Sequence, residues 1–176
     1  DNMLPAYQRK NAAIAMEAMN ILGFETQNID IQNTWSKLFQ QTGFIGRLFP
    51  SNQYPKLWYD ASHNADGFKT TMDALHERNI HNPIIIFGAS NDKSLAHLSS
   101  FNPLIDTWYF CEFSNPRSMR TEEFVMVSES INMKNVKHFP NVNQAIEMAI
   151  AVRREEQAIL VTGSFFLLSD CNEIKS

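Results

Sequence analysis

The chain has 176 residues, of which 44% are hydrophobic and 11% aromatic, and a formal net charge of -4. This length suits one domain, or one domain with part of another, and the apolar share can form a buried core. Scattered basic residues argue against a nucleic-acid surface, and the longest apolar runs are too short to cross a bilayer, so we expect neither a nucleic-acid nor a membrane partner.

Two helices are predicted at the start of the chain. Residues 7–22 carry alanine, methionine and leucine at a spacing that gives a wide apolar face, and Gly23 comes next as a stop signal. Residues 31–41 predict a second helix with Gly43 after it and four apolar side chains on one side: Ile31, Trp35, Leu38 and Phe39. Two helices in a row differ from the pattern in the rest of the chain, so we place a boundary at 42–46, between a segment 1–44 and a domain 45–176.

From residue 48 onward, short apolar runs alternate with amphipathic stretches. Because the apolar runs are continuous rather than alternating, they indicate strands buried on both faces. The pattern predicts an α/β fold with a Rossmann-like, mostly parallel sheet that helices cover on both sides. Five strand-helix pairs follow one another: 57–59 with 65–78, 84–87 with 95–101, 108–111 with 122–133, 136–139 with 142–154, and 159–161 with a short helix near Phe165.

The first of these strands ends in a group of polar side chains. Asp60 comes directly after the strand, and Ser62, His63 and Asn64 stand before the next helix. In open α/β sheets, ligands bind beyond the carboxyl ends of the strands, near helix N-termini, which makes this segment a candidate site. The alternative is that Asn64 or Ser62 caps the helix and Asp60 begins a turn. This segment alone favours neither interpretation.

Polar residues follow the other strands as well. Lys93 stands where a helix should begin, although a cation there opposes the helix dipole. Gly88 and Gly163 each end a strand, which permits either close approach of a ligand or a turn with positive φ. A pocket with convergent polar groups is therefore favoured over plain loops. The sequence contains no phosphate-binding loop, no dinucleotide fingerprint and no nucleophile elbow.

The cysteines and histidines form no pattern typical of a metal site or a disulfide framework. Cys111 and Cys171 fall in or near apolar runs without paired spacing, so we expect reduced thiols in a cytoplasmic protein. The five histidines show no metal-ligand spacing with acids or thiols, and we expect no metal site in this chain. The chain begins at Asp1 rather than at a methionine, and we expect it to be part of a longer protein.

Six short segments match, in order, the motifs of one family. They are Gln8-x-x-Asn11-Ala12, Gly46-Arg47-Leu48, Asp60 to Asn64, Gly88 to Lys93, Asn115-Pro116-Arg117 and Thr162-Gly163-Ser164. Together they resemble the folylpolyglutamate synthase/dihydrofolate synthase group of the Mur ligase superfamily. The chain departs from the family pattern at four places, with Ala61-Ser62 for Gly-Ala, Ala65 for proline, and Phe49 and Ser94 for acids.

The resemblance implies a ligase that uses ATP and Mg²⁺ to add L-glutamate to folate or dihydropteroate through an acyl phosphate. In such enzymes the phosphate-binding loop and most Mg²⁺ ligands belong to a central ATPase domain, which is the expected partner. The C-terminal domain closes over that site. Segment 1–44 would then hold the trailing helices of the ATPase domain, and 45–176 would be the Mur-ligase-type C-terminal domain. We expect no turnover from this chain alone.

The matched motifs imply a role for seven residues. Arg47 and Asp60 would contact the nucleotide, and His63 would be catalytic, near the reacting substrate groups. Substrate binding would involve Asn64, Asp92, Lys93 and Ser164, with Lys93 and Ser164 directed to the glutamate carboxylates. Two alternatives stay open: a Mur ligase of peptidoglycan precursor synthesis, and a non-catalytic α/β ligand-binding module.

Overall fold

The computed structural model describes residues 4–175, apart from the side chains at positions 36, 39, 40 and 175. The chain start at Asp1 and the predicted apolar position Phe39 lie outside the described residues. The chain divides into two compact units, one up to Ile45 and one from Gly46 onward.

The first unit contains two helices, as the sequence predicts. These are α1 (Ala6–Ile21) and α2 (Ile31–Thr42). Gly23 comes after α1 with a φ of 83°, in keeping with its role as a stop signal. A groove of about 400 Å³ lies in this unit, and its lining is almost entirely apolar, with Leu4, Met16, Trp35 and Leu38 among its residues.

The second unit is built on a six-stranded sheet. Its strands run in the spatial order β1-β2-β6-β3-β4-β5, and all neighbours are parallel except the edge pair of β1 and β2. The prediction of a mostly parallel sheet is confirmed. The strands are β1 (Phe49–Pro50), β2 (Leu57–Tyr59), β3 (Ile84–Phe87), β4 (Thr107–Cys111), β5 (Val136–Phe139) and β6 (Ile159–Thr162).

Five α-helices and one 3₁₀ helix accompany the strands. The α-helices are α3 (Ala65–His76), α4 (Thr121–Ser130), α5 (Val142–Val152), α6 (Phe165–Ser169) and α7 (Asn172–Lys175). The predicted helix at 95–101 is a 3₁₀ helix instead (Ala96–Leu104). Pro103 lies inside it, and the Ser99 and Ser100 hydroxyls donate to carbonyl groups three residues back. Both features compete with α-helical hydrogen bonding.

The core lies around the central strands. Every residue of β3 and β6 is buried, so both faces of these strands are covered. Aromatic rings attach two helices to the sheet: Phe68 of α3 stacks on Trp108 at 5.8 Å, and Phe124 of α4 stacks on Phe110 at 4.8 Å. Such contacts contribute beyond the apolar area that they bury, and they fix the strand ends that carry the polar loops.

The last helix is joined to the first strands of this unit through Glu173. Its carboxylate accepts hydrogen bonds from the Ser51 hydroxyl (2.6 Å), the Asn52 and Gln53 N–H groups (2.6 and 3.1 Å) and the Tyr59 hydroxyl (2.7 Å). Burial, together with the bond to Glu173, raises the pKa of Tyr59, so its phenol stays a neutral donor. Glu173 therefore closes the turn between β1 and β2.

Both cysteines are buried, and neither forms a disulfide bond. None of the helices between residues 4 and 175 combines the length and the apolar character that a membrane span requires.

Candidate functional site

The predicted polar loops lie side by side at one edge of the sheet. Tyr59 pairs with Val161, and Phe87 pairs with both Thr162 and Phe110, so these four strands end at the same level. The loops after these strands carry all the predicted site residues except Arg47, which precedes β1. The parallel topology therefore brings these loops together, as the sequence predicts.

Asp60 is buried in this edge, with 2% of its surface exposed. Its carboxylate accepts hydrogen bonds from the N–H groups of Leu48 (2.9 Å) and Ser62 (2.8 Å) and from the Thr71 hydroxyl (3.0 Å). Burial raises the pKa of Asp60, and the hydrogen bonds from Ser62, Thr71 and Leu48 oppose that rise. The carboxylate thus holds the backbone next to Arg47 and the start of its own loop; a nucleotide contact by Asp60 stays a proposal.

Three hydroxyl groups extend this network. The Ser62 hydroxyl lies 3.0 Å from that of Thr162 and 3.3 Å from that of Thr71. The Ser62 hydroxyl therefore joins the loop after β2 to the end of β6. Sequence reasoning did not single out Thr71, although a polar residue on the apolar face of α3 is a signal that could have found it.

Asn64 and His63 occupy the start of α3. The Asn64 side-chain oxygen accepts from the Gly67 N–H at 2.8 Å, so the capping interpretation is confirmed for this residue. His63 is exposed, and its Nδ1 lies 3.1 Å from the Ala61 carbonyl oxygen. A proton on Nδ1 suits that contact and leaves Nε2 as the basic atom.

Gly163 and Gly88 let two strand ends approach closely. Gly163 has a φ of +110°, and a Cβ there would lie 2.4 Å from the Gly88 carbonyl oxygen. A Cβ on Gly88 would lie 2.9 Å from both the Cys111 carbonyl oxygen and the Leu167 side chain. The interpretation of a turn with positive φ is confirmed for Gly163. At Gly88 the groups that approach closely are a carbonyl oxygen and a side chain of this same chain. Ser164 comes next, 8% exposed, and its hydroxyl oxygen accepts from the Phe166 N–H at 3.1 Å.

Arg47 is half-buried at the start of the second unit. Its guanidinium donates to the Gly46 carbonyl oxygen at 3.1 Å and lies over the Phe165 ring, 5.7 Å from the ring centre. Phe165 is 46% exposed. A cation beside an exposed aromatic ring can receive both a phosphate and a planar base.

A charged cluster forms where the loops after β3 and β4 meet. Arg117 Nη2 lies 3.2 Å and Lys93 Nζ lies 3.8 Å from the same Asp92 oxygen. Desolvation would raise the pKa of Asp92, but the Lys93 charge and the hydrogen bond and charge of Arg117 outweigh it, so the pKa lies below its usual value. Sequence reasoning matched the Arg117 loop to the family but gave Arg117 no role.

Metal ligands do not cluster among the described residues of this edge. Across the whole part of the chain that the structure describes, no group of three or more His, Cys, Asp or Glu side chains could hold a metal ion.

Known sequences similar to this chain belong to the family that its motifs resemble. The family model described as Mur ligase, glutamate ligase domain, matches residues 47–165. The dihydrofolate synthase/folylpolyglutamate synthase of Escherichia coli (strain K12) is 26% identical over 175 residues, which cover 97% of this chain and 39% of that protein. The protein of the same name from Bacillus subtilis (strain 168) is 24% identical over 172 residues, with 96% and 39% covered. The chain therefore spans about two fifths of the length of these relatives.

Solved structures share the fold and confirm the resemblance seen in the motifs. Escherichia coli FolC in complex with ADP aligns with a TM-score of 0.72 and 25% identity, over 94% of this chain and 39% of that one. Mycobacterium tuberculosis folylpolyglutamate synthase complexed with ADP has the same fold, with a TM-score of 0.72 at 20% identity over 91% and 38%. The family match extends from Arg47 through all six strands to the Thr162–Ser164 turn, and the chain belongs to the Mur ligase glutamate ligase domain family.

Proposed function

We propose that this chain is the C-terminal part of an ATP-dependent ligase that adds L-glutamate to folate or dihydropteroate through an acyl phosphate. The observation that carries the proposal is the placement of the Asp60 loop, the Lys93 loop and the Ser164 turn along one sheet edge, in a chain of this family. The relatives named dihydrofolate synthase/folylpolyglutamate synthase, which it matches over nearly its whole length, support the choice of substrates.

The nucleotide end of the proposed site rests on Arg47. Its guanidinium, half-buried and placed over Phe165, suits a nucleotide phosphate. Asp60 binds the Leu48 N–H and so fixes the backbone beside Arg47. The two similar solved structures, from Mycobacterium tuberculosis and Escherichia coli, are complexes with ADP. As the family resemblance implies, we assign most of the Mg²⁺ ligands to the ATPase domain.

The glutamate end rests on Lys93 and Ser164. The Lys93 side chain is 43% exposed, and its ammonium can pair with a carboxylate. The Ser164 oxygen already accepts from Phe166, which leaves its own O–H to donate to an anion. His63 Nε2 is the atom that would accept a proton from the incoming amino group. Asn64 holds the start of α3 beneath it, and Asp92 orients the Lys93 loop.

The proposed reaction needs a second domain. A carboxylate must first receive a phosphoryl group, and this chain contains no glycine-rich loop to hold the phosphates. We therefore propose that the N-terminal ATPase domain of the same protein supplies the loop, with segment 1–44 as its trailing helices, and that the protein works in the cytoplasm. We expect this chain alone to show no turnover.

The test uses the intact protein and measures ATP- and glutamate-dependent amide formation. Dihydropteroate and folate are compared with a UDP-linked peptidoglycan precursor, and reaction with the precursor alone would favour the Mur ligase alternative. Lys93→Gln should raise the KM for glutamate, and His63→Gln should lower kcat. Lys69→Gln is the matched control, because Lys69 is an exposed lysine paired with Asp73 on α3. No ligation of either class would favour the non-catalytic module.

A further inference from the structure

We propose that Arg117 is a positioning residue that acts through Asp92 and leaves the charge of Lys93 free for a substrate carboxylate. The inference rests on the proposed function, in which Lys93 receives glutamate. It assigns a role to a residue that neither the motif match nor the comparisons explain.

The geometry places two cations on one oxygen. Arg117 Nη2 lies 3.2 Å and Lys93 Nζ lies 3.8 Å from Asp92 Oδ2. The shorter distance is a hydrogen bond and the longer one is a loose ion pair. Asp92 is thus bound to the arginine, while the Lys93 side chain stays 43% exposed.

The backbone holds Arg117 in this place. The Arg117 carbonyl oxygen accepts from the Asn91 N–H at 2.8 Å, and its own N–H donates to the Asn115 side chain at 3.0 Å. A bridge between Ser90 and Ser118 adjoins these bonds. The loop after β4 is therefore joined to the loop after β3 directly before Asp92, although Arg117 and Asp92 lie 25 positions apart.

The charges explain why this arrangement helps an anion to bind. Two cations and one carboxylate leave a net charge of +1, whereas Asp92 and Lys93 without Arg117 would neutralise each other. A glutamate carboxylate would then compete with Asp92 for the same ammonium. The three side chains are 43–58% exposed, so solvent screens the effect and keeps it modest.

The first test measures KM and kcat for glutamate in the intact ligase. We expect Arg117→Gln to raise the KM for glutamate about fivefold, within the range of exposed ion pairs, and to leave kcat unchanged. Arg117→Lys keeps the charge and should restore most of the affinity. Arg154→Gln is the control, because Arg154 pairs with Asp106 at 3.0 Å beside the opposite end of β4 and should leave KM unchanged.

The second test is a double-mutant cycle with Asp92→Asn. If Arg117 acts through Asp92, then Arg117→Gln has no further effect on the KM in the Asp92→Asn background. An equal rise in both backgrounds, or an unchanged KM in the wild-type background, overturns the inference. Should the Arg117→Gln variant fail to fold, Arg117→Lys replaces it in the same comparison. The shorter lysine side chain reaches Asp92 less well, so we expect a small rise in the KM for glutamate when Asp92 is present and no rise in the Asp92→Asn background. A wild-type protein that ligates no glutamate would refute the proposed function instead.

Discussion

Gly163→Ala tests the close packing of the end of β6 against the end of β3. The added Cβ would lie 2.4 Å from the Gly88 carbonyl oxygen and 3.0 Å from the Phe87 ring. Carbon and oxygen ordinarily come no closer than about 3.3 Å. The Gly88 carbonyl belongs to backbone between β3 and its loop, where the Gly88 N–H donates to the Thr162 carbonyl at 3.2 Å. Neither side can yield without disturbing the paired ends of β3 and β6.

Two costs add at this position. An L-residue at a positive φ of +110° costs about 1–2 kcal/mol. Overpacking a rigid core contact costs about 1–3 kcal/mol more. We therefore expect the free energy of unfolding to fall by about 2–5 kcal/mol. For a chain of this size, a loss of about 3 kcal/mol corresponds to a melting temperature lower by about 6–12 °C.

Urea and thermal unfolding of the chain measure the loss, and two variants in the same unit separate its causes. Gly88→Ala brings a Cβ within 2.9 Å of the Cys111 carbonyl without a positive φ, so it isolates the overlap. Asn132→Ala sits at a φ of 52° on an exposed turn, so it isolates the backbone strain. A Gly163→Ala variant within about 1 kcal/mol of wild type, or no less stable than Gly88→Ala, would refute the reasoning.

Two further predictions concern buried hydrogen bonds. Because burial raises the pKa of Asp60 above its unfolded value of 3.8, the folded chain keeps this proton where the unfolded chain has released it. The stability that this proton contributes is complete below pH 3.8 and is lost as the pH rises through the pKa of the folded chain. The free energy of unfolding of wild type minus that of Asp60→Asn should therefore fall as the pH is raised above 3.8. If urea titrations show that this difference grows with pH, the prediction is wrong. Tyr59→Phe removes the 2.7 Å hydrogen bond to Glu173 and should lower the free energy of unfolding, measured by urea titration, by about 1–2 kcal/mol. A change below about 0.3 kcal/mol would show that Glu173 does not need this donor.

The elements that the sequence predicted well are those with a strong local signal. The continuous apolar strands 84–87 and 159–161 appear almost unchanged as β3 and β6, because burial on both faces leaves no polar position. The edge strand β1 was missed, since two residues that include a proline carry no strand pattern. Helix α4 is shorter than predicted: it ends at Ser130, and Asn132 just beyond it adopts a left-handed conformation that apolar spacing does not reveal.

The candidate site was predictable as a place but not as a set of contacts. Parallel strands that end together explain why the loops lie along one edge. The direction in which the Asp60 carboxylate points depends on Leu48, 12 positions earlier, and on Thr71, 11 positions later. The Arg117 contact with Asp92 depends on a pairing between two loops. No local pattern encodes such distances, because they arise only when the strands assemble.

The Glu173 contacts have a topological consequence. Ser51 and Glu173 are separated by 122 positions in sequence, yet they share a hydrogen bond, so the beginning and the end of the second unit are neighbours in space. A short linker that joins these two ends would close the unit into a ring, which could then be opened at an exposed turn such as 155–156. Such a circular permutant should keep the strand order of the sheet, because the pairing of β-strands in this unit does not depend on which strand is synthesised first.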